Sequence, residues 1–184
     1  MLPEKEITRI SKFLSLVLRH QPEKINITLD ENGWTDVATL IQQVNKSGSR
    51  LSFEILDFVV ANNNKKRFAF NPDKTKIRAH QGHSVEIKLG YPPQTPPAVL
   101  YHGTSEKNLA SILAEGIQKR NRHQVHLSPD KSTALTVGQR HGKPVILQVD
   151  AAAMHAAGLV FYLSENQVWL TGLVHAEFLH VLTT

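Results

Sequence analysis

The sequence predicts an α+β fold in two lobes, and three observations carry that prediction. Apolar residues at helical spacing and recognisable helix caps occupy the early part of the chain. Short runs of strand character occupy the later part, and "GYPPQTPPAV", Gly90 to Val99, sets four prolines into ten residues between them. Proline has no backbone donor and a fixed φ, so this stretch continues neither a helix nor a central strand and reads as an extended linker. The expected division is residues 1–89, a proline-rich linker at 90–99, and residues 100–184.

In the first lobe, Ile7, Ile10, Leu14, Val17 and Leu18 share one helical face, and the helix is expected to stop near Gln21 because the residue before Pro22 avoids αR geometry. "TDVATLIQQVNKS" predicts a second helix capped by Thr35 or Asp36. "SFEILDFVVANN" predicts a third, with Ser52 as N-cap and Glu54 close behind. "KRFAF" and "KIRAHQ" alternate apolar and polar residues around "NPDKT", the pattern of a β-hairpin. Three helices and a hairpin are the parts of a winged helix, with strands from the linker side as an alternative source of further sheet. In the second lobe "AVLYHGT" reads as a strand, and "SEKNLASILAEG" as a helix capped by Ser105 and ended by Gly116. "QVHLS", "PVILQVD", "LVFYLS" and "VWLTG" read as further strands. One long helix among many strands predicts a mixed, mainly antiparallel sandwich rather than a doubly wound βαβ sheet.

With 184 residues, 41% of them hydrophobic, the chain can bury one ordinary core or two small ones. No cysteine is present, which excludes disulfides, thiolate zinc sites and cysteine nucleophiles. The acidic start "MLPEKEITRI" is unlike a secretory signal, and no apolar run is long enough to span a bilayer, so the expected setting is the cytoplasm, away from membranes. The formal charge of +5 points to an anionic partner. Residues 1–90 hold 14 Lys and Arg against 10 Asp and Glu, and residues 91–184 hold 7 against 6, whereas 3 of the histidines fall in the first half and 7 in the second. A basic first half that grips a polyanion and a His-rich second half that holds a smaller ligand fit this distribution.

Arg19 and His20 close the first helix, where cations complement its dipole and need no further explanation from that stretch alone. Lys65, Lys66, Arg67, Lys74, Lys76 and Arg78 flank the hairpin, against the single acid Asp73, which suits phosphate binding as well as an ordinary solvated face. Alternation sets Arg67 opposite Phe68 and Phe70. "YHGT", Tyr101 to Thr104, offers donors for ribose hydroxyls or an amide, and a glycine that admits a ligand close to the backbone. Arg122, His126 and Ser128 recur at strand spacing and could share one face, with a satisfied core histidine as the alternative for His126. Arg140 and Lys143, in "GQRHGKP", serve equally well as loop surface. No HExxH or comparable metal-ligand spacing is present.

Taken in order, "LSLVLRHQP", "DENGWTDVATLI", "KKRFAF", "IRAHQGHS", "LYHGT", "RHQVHLS" and "VGQRHGKPVILQVDA" closely resemble the RNA 2′-phosphotransferase family, within the wider ADP-ribosyltransferase superfamily. The resemblance runs from about Ile10 to Trp169. It implies an N-terminal winged-helix-type lobe and a C-terminal lobe of ADP-ribosyltransferase type, and an enzyme that moves an internal RNA 2′-monophosphate onto NAD⁺. It implies a catalytic quartet of Arg19, His20, Arg67 and Arg122. Arg19 and Arg67 would grip the phosphate, His20 would bind it or assist proton transfer, and Arg122 would reach across from the NAD⁺ lobe to stabilise the transferring group. It further implies that His102 and Gly103 bind the NAD⁺ ribose and amide, that His126 and Ser128 line the same cleft, and that Thr104 and Arg140 belong with them. NAD⁺ would be consumed, no metal is needed, and a monomer acting on RNA, with tRNA splicing as the family's context, is expected.

Superfamily members that modify proteins commonly carry a glutamate on a late strand, where "NQVWLT" puts Val168, with Glu165 three residues early. A nucleophile that is already a phosphate anion has less need of that carboxylate. Two rival readings remain open at this stage. One is a winged-helix regulator that senses a ligand without turnover; the other is a transferase that leaves a stable ADP-ribose adduct on protein or a nucleic-acid end.

Overall fold

The computed structural model describes residues 3–63 and 65–182. Contacts divide the chain into two compact units, Met1–Gly90 and Tyr91–Thr184. Each is α+β with small antiparallel sheets, as the sequence predicts at that level. Among the described residues no helix is long and apolar enough to cross a membrane.

In the first unit, α1 (Glu4–Arg19) carries glutamates in its first turn and Arg19 in its last, matching the helix dipole at both ends. Its stripe of Ile10, Leu14, Val17 and Leu18 is buried. A short 3-10 turn, Pro22–Ile25, starts where Pro22 stops the helix. Asp36, rather than Thr35, caps α2 (Val37–Lys46), accepting from the Thr39 N–H at 2.6 Å. Ser52 caps α3 (Phe53–Ala61) through the Ile55 N–H. The hairpin is β2 (Phe68–Phe70) with β3 (Lys76–Ala79), Phe70 facing Ile77. Its third strand is β1 (Thr35–Asp36), which pairs with β3 just before α2 begins. The extra strand therefore comes from ahead of the second helix and not from the linker side. Phe68 is buried and Phe70 packs against the same core of α1, α2 and α3 residues.

The second unit holds two three-stranded sheets. One has the order β4 (Val99–Ser105), β6 (Pro144–Asp150), β9 (Leu179–Leu182), and the other β5 (Val125–Leu127), β8 (Trp169–Thr171), β7 (Phe161–Leu163). Both sheets feed one core, with Leu100, Leu147 and Leu179 from the first and Leu127, Phe161 and Trp169 from the second. α4 (Glu106–Glu115) follows Ser105 and ends at Gly116, whose φ of 78° is left-handed. The proline-rich stretch contributes to this unit, with the Gln94 N–H donating to Phe161 O at 2.8 Å. The sequence reading missed α5 (Lys131–Gly138), α6 (Ala151–Ala156) and β9, so one long helix is not the whole helical content.

α5 stands on its cap. Asp130 accepts from the Thr133 N–H at 2.7 Å, the Thr133 hydroxyl at 2.9 Å and the Ser132 hydroxyl at 2.6 Å. The bond from Ser132 leads the contacts that hold its pKa below the ordinary 3.8. A lowered folded pKa means that the cap's contribution is present above the unfolded value and is lost as pH falls through the folded one. Asp130→Ala should cost about 1 kcal/mol near neutral pH. That deficit should shrink in acid below 4, which urea titrations of the two proteins at several pH values would check.

Candidate active site

The end of α1 is built by a strand return. After β3 the chain turns through Gly82, whose φ of 86° favours glycine, and a Cβ there would lie 3.6 Å from Arg19 Nη1. The Ser84 N–H then donates to the Arg19 carbonyl at 2.9 Å and the Val85 N–H to the same oxygen at 3.4 Å. These bonds satisfy a carbonyl that the helix end would otherwise leave open. His20, exposed just past the helix, pairs its Nδ1 with Ser84 Oγ at 2.9 Å.

Arg67 joins this group from the other side. It lies immediately before β2, following Lys66 at a left-handed φ of 40°. Its carbonyl accepts from the His80 N–H at 3.0 Å and from Arg19 Nη2 at 3.5 Å. Its own Nη1 donates to Ser11 Oγ at 3.4 Å, and the same hydroxyl accepts from Asn63 Nδ2 at 3.0 Å. Hence Arg19, His20 and Arg67, 48 positions apart at the two arginines, are brought into one cluster. The Arg67 carbonyl and the Ser11 hydroxyl are among the groups that orient these guanidiniums, whose planar forks match an oxyanion. Lys65 and Lys66 are exposed, whereas the three later cations of the hairpin are engaged. Lys74 pairs with Asp57 at 2.7 Å and Lys76 with Asp30 at 3.6 Å, while Arg78 is buried with its guanidinium 4.5 Å from the Trp34 ring centre.

In the second unit, Tyr101 and Ser128 exchange backbone hydrogen bonds at 2.8 Å, which sets "YHGT" beside "VHLS". His102 Nδ1 lies 3.2 Å from the His126 carbonyl, so His102, His126 and Ser128 are neighbours. Thr104 is buried on β4 and by alternation shares the face of His102. Gly103 has a packing reason: a Cβ there would overlap the Ala134 carbonyl of α5 and sit 2.9 Å from Gly138 N. Close helix-on-strand approach thus fills the space that a side chain at residue 103 would take.

Arg122 lies in the loop before β5, which begins only at Val125, so it does not share a strand face with His126 and Ser128 as the spacing had suggested. Its backbone N–H closes a turn onto Lys119 O at 3.0 Å, and Arg120 adopts a left-handed φ of 51°. Desolvation by surrounding protein lowers the Arg122 pKa, yet a guanidinium stays charged at any working pH. Arg140 is exposed on the 3-10 turn Gln139–His141 that follows α5. Val168 precedes β8, and Glu165 sits on the turn that joins β7 to β8. Among the described residues no group of three or more metal-ligating side chains comes together. Ser11 and Ser84 were not anticipated. A helix-interior serine gives no sequence signal, whereas "QGHS", a glycine between polar residues after a strand, does mark a turn that approaches something closely.

Residues 5–172 match the family model described as RNA 2′-phosphotransferase, Tpt1 / KptA family. A protein of Flavobacterium johnsoniae named "Probable RNA 2′-phosphotransferase" is 57% identical over 92% of this chain and 93% of its own length. Relatives with the same name from Fusobacterium nucleatum and Agrobacterium fabrum are 53% and 54% identical, over 93% and 95% of this chain and 96% and 94% of theirs.

Proposed function

This chain belongs to the RNA 2′-phosphotransferase family, and from that premise we propose that it transfers an internal RNA 2′-monophosphate to NAD⁺. The observation that carries the reading is that Arg19 and Arg67 meet along α1, the Arg19 guanidinium on the Arg67 carbonyl and Arg67 Nη1 on Ser11, with His20 next to Arg19 in the chain. A phosphate monoester is nearly dianionic at neutral pH, and paired guanidinium forks match its oxygens better than titrating groups would. In this reading residues 1–89 are a winged-helix-type lobe that takes the RNA phosphate, 90–99 the linker, and 100–184 an ADP-ribosyltransferase-type lobe that takes NAD⁺. The enzyme is a cytoplasmic monomer that uses no metal.

NAD⁺ is a co-substrate here, and the donor set beside β4 suits it. His102, oriented through the His126 carbonyl, together with Ser128 and Thr104 offers imidazole and hydroxyl groups for ribose hydroxyls and a carboxamide. Gly103 supports that site by letting α5 pack against β4, and Arg140 is the cation for the dinucleotide phosphates.

In the first step a 2′-phosphate oxygen bonds to the anomeric carbon of the nicotinamide riboside as its bond to nicotinamide breaks. Cations near a dianion reduce its nucleophilicity, so alignment and a cationic leaving group must supply most of the acceleration. In the second, the adjacent ribose 2″-hydroxyl oxygen bonds to phosphorus, its proton passing to solvent, and the RNA 2′-oxygen leaves. Arg122 and Arg67 stabilise the charge that gathers on the phosphoryl oxygens, and His20 donates the proton that the departing RNA oxygen takes up. The products are RNA with a free 2′-hydroxyl, ADP-ribose 1″,2″-cyclic phosphate and nicotinamide.

The test uses an oligonucleotide with one internal 2′-phosphate. Phosphate should leave the RNA only when NAD⁺ is added, with nicotinamide released in equal amount. Release without NAD⁺, or a stable ADP-ribose adduct that never resolves, would overturn the reading.

A further inference from the structure

We propose that the face of α1 bearing Lys5, Lys12 and Arg19 is the track for the RNA strand that flanks the 2′-phosphate, its lysines neutralising backbone phosphates beside the reacting one. The inference rests on the functional reading above, which sets the 2′-phosphate at Arg19 and Arg67, and goes beyond it by placing the rest of the polymer.

Lys5, Lys12 and Arg19 follow one another at seven-residue intervals in a helix that runs from Glu4 to Arg19. Such an interval falls about 20° short of two full turns, so the three side chains lie on one slowly drifting line. Lys12 is about 10 Å along the axis from Arg19, and Lys5 about 20 Å. Thr8 and Ser15, which fall between them on that side, are short and leave the line open between the cations. The side turned away carries Ile10, Leu14 and Val17 into the core.

The arginines of the phosphate site belong to this line. Ser11, one position before Lys12, accepts from Arg67 Nη1 at 3.4 Å and from Asn63 Nδ2 at 3.0 Å, while Arg19 Nη2 donates to the Arg67 carbonyl at 3.5 Å. Asn63 and Arg67 are thereby held along the turns of α1 between Ser11 and Arg19. Lys65 and Lys66, which precede Arg67, are exposed.

A merely solvated helix face usually mixes charges of both signs. This one does not. The acids of α1, Glu4 and Glu6, are confined to its first turn, where Glu6 meets Arg9 at 3.7 Å. From Ile7 to Arg19 the helix holds Arg9, Lys12 and Arg19 and no acid. Lys74, Lys76 and Lys143 are each matched to a carboxylate, whereas Lys5 and Lys12 are exposed and in no ion pair among the described residues. Unmatched cations in line with a phosphate site complement a polymer that carries a negative charge on every nucleotide. Glu4 closes the far end of the line, so Lys12 should matter more than Lys5.

The test is equilibrium binding of the full-length protein to a fluorescent single-stranded oligonucleotide with one internal 2′-phosphate, without NAD⁺. Lys12→Gln should weaken binding about fivefold at about 0.1 M salt and make the slope of log affinity against log salt shallower by about 0.7, the share of one phosphate contact. Lys5→Gln should act in the same direction with a smaller loss, and neither loss should depend on RNA sequence. The gap between Lys12→Gln and wild type should narrow as flanking nucleotides are removed. Lys46→Gln is the control, exposed at the end of α2, whose Val44 lines a small cavity with Ile10 and Phe13 on another side of α1; it should bind as wild type. Unchanged affinity and slope in Lys12→Gln, equal losses in Lys12→Gln and Lys46→Gln, or a loss that persists when the flanking nucleotides are gone would each overturn the proposal. If the wild type releases no phosphate when NAD⁺ is added, the functional reading falls, and the salt slopes still decide whether α1 holds an RNA strand.

Discussion

Arg122→Ala should lower the rate of 2′-hydroxyl RNA formation about 10³-fold and leave an ADP-ribosylated RNA visible in the reaction. In the proposed mechanism the asymmetry between steps follows from charge. In the first step the phosphate arrives with its negative charge already present and loses some of it to a cationic leaving group. In the second, the phosphoryl group gathers charge on its equatorial oxygens as two oxygens exchange on phosphorus, so a guanidinium contributes most there. Arg67→Ala should give the same accumulation, because its Nη1 is oriented by Ser11 and its carbonyl by Arg19 and His80. Arg67→Lys should recover only a small part of the loss, since an ammonium keeps the charge but not the planar fork. Resolving RNA, intermediate and product on a denaturing gel checks the prediction. Variants that merely bind RNA more weakly, and then finish both steps at the normal ratio, would remove Arg122 and Arg67 from the second step.

What was legible in the sequence tracks how local each signal is. The stripe of Ile10, Leu14, Val17 and Leu18, the Ser52 cap and the Gly116 stop depend on neighbours a few positions away, and they are found as read. α5 was illegible because five of the eight residues of "KSTALTVG" are Ser, Thr, Val or Gly, weak helix formers, and the helix leans on the Asp130 cap and on close packing at Gly103 of β4. β1 was illegible because two residues carry no periodicity; only the partner strand β3 defines it. The placement of Arg122 was misread for a related reason. Strand spacing was extended backwards from His126 to Arg122 through residues 122–124, which bend ahead of β5 and are not strand, so alternation does not carry through them. The meeting of Arg19 with Arg67 links two motifs that the sequence shows only separately. The serines at this site were not readable, since their value lies in partners such as Asn63, Arg67 and His20, which are far off in sequence.

Gly103→Ala should destabilise the second unit by about 3 kcal/mol or more, a larger effect than any ligand contact at that residue would have on folding. The added methyl would overlap the Ala134 carbonyl and press on Gly138 N, both backbone atoms of α5 that cannot rotate aside. Gly138 is locked in the same way, since its own Cβ would meet Thr104 O at 2.6 Å. To admit the methyl, α5 must move off β4, which withdraws support from the strand that carries His102 and Thr104. Gly172→Ala is the control, because a Cβ there meets nothing within 4 Å; it should change stability by no more than about 0.5 kcal/mol. The chain's two tryptophans fall one in each unit, Trp34 and Trp169, so fluorescence of a Trp34→Phe background reads β8 and hence the second unit alone during urea unfolding. If Gly103→Ala unfolds at the same urea concentration as its parent and loses only NAD⁺ affinity, then the glycine serves the dinucleotide directly, and the packing of α5 on β4 is not what requires it.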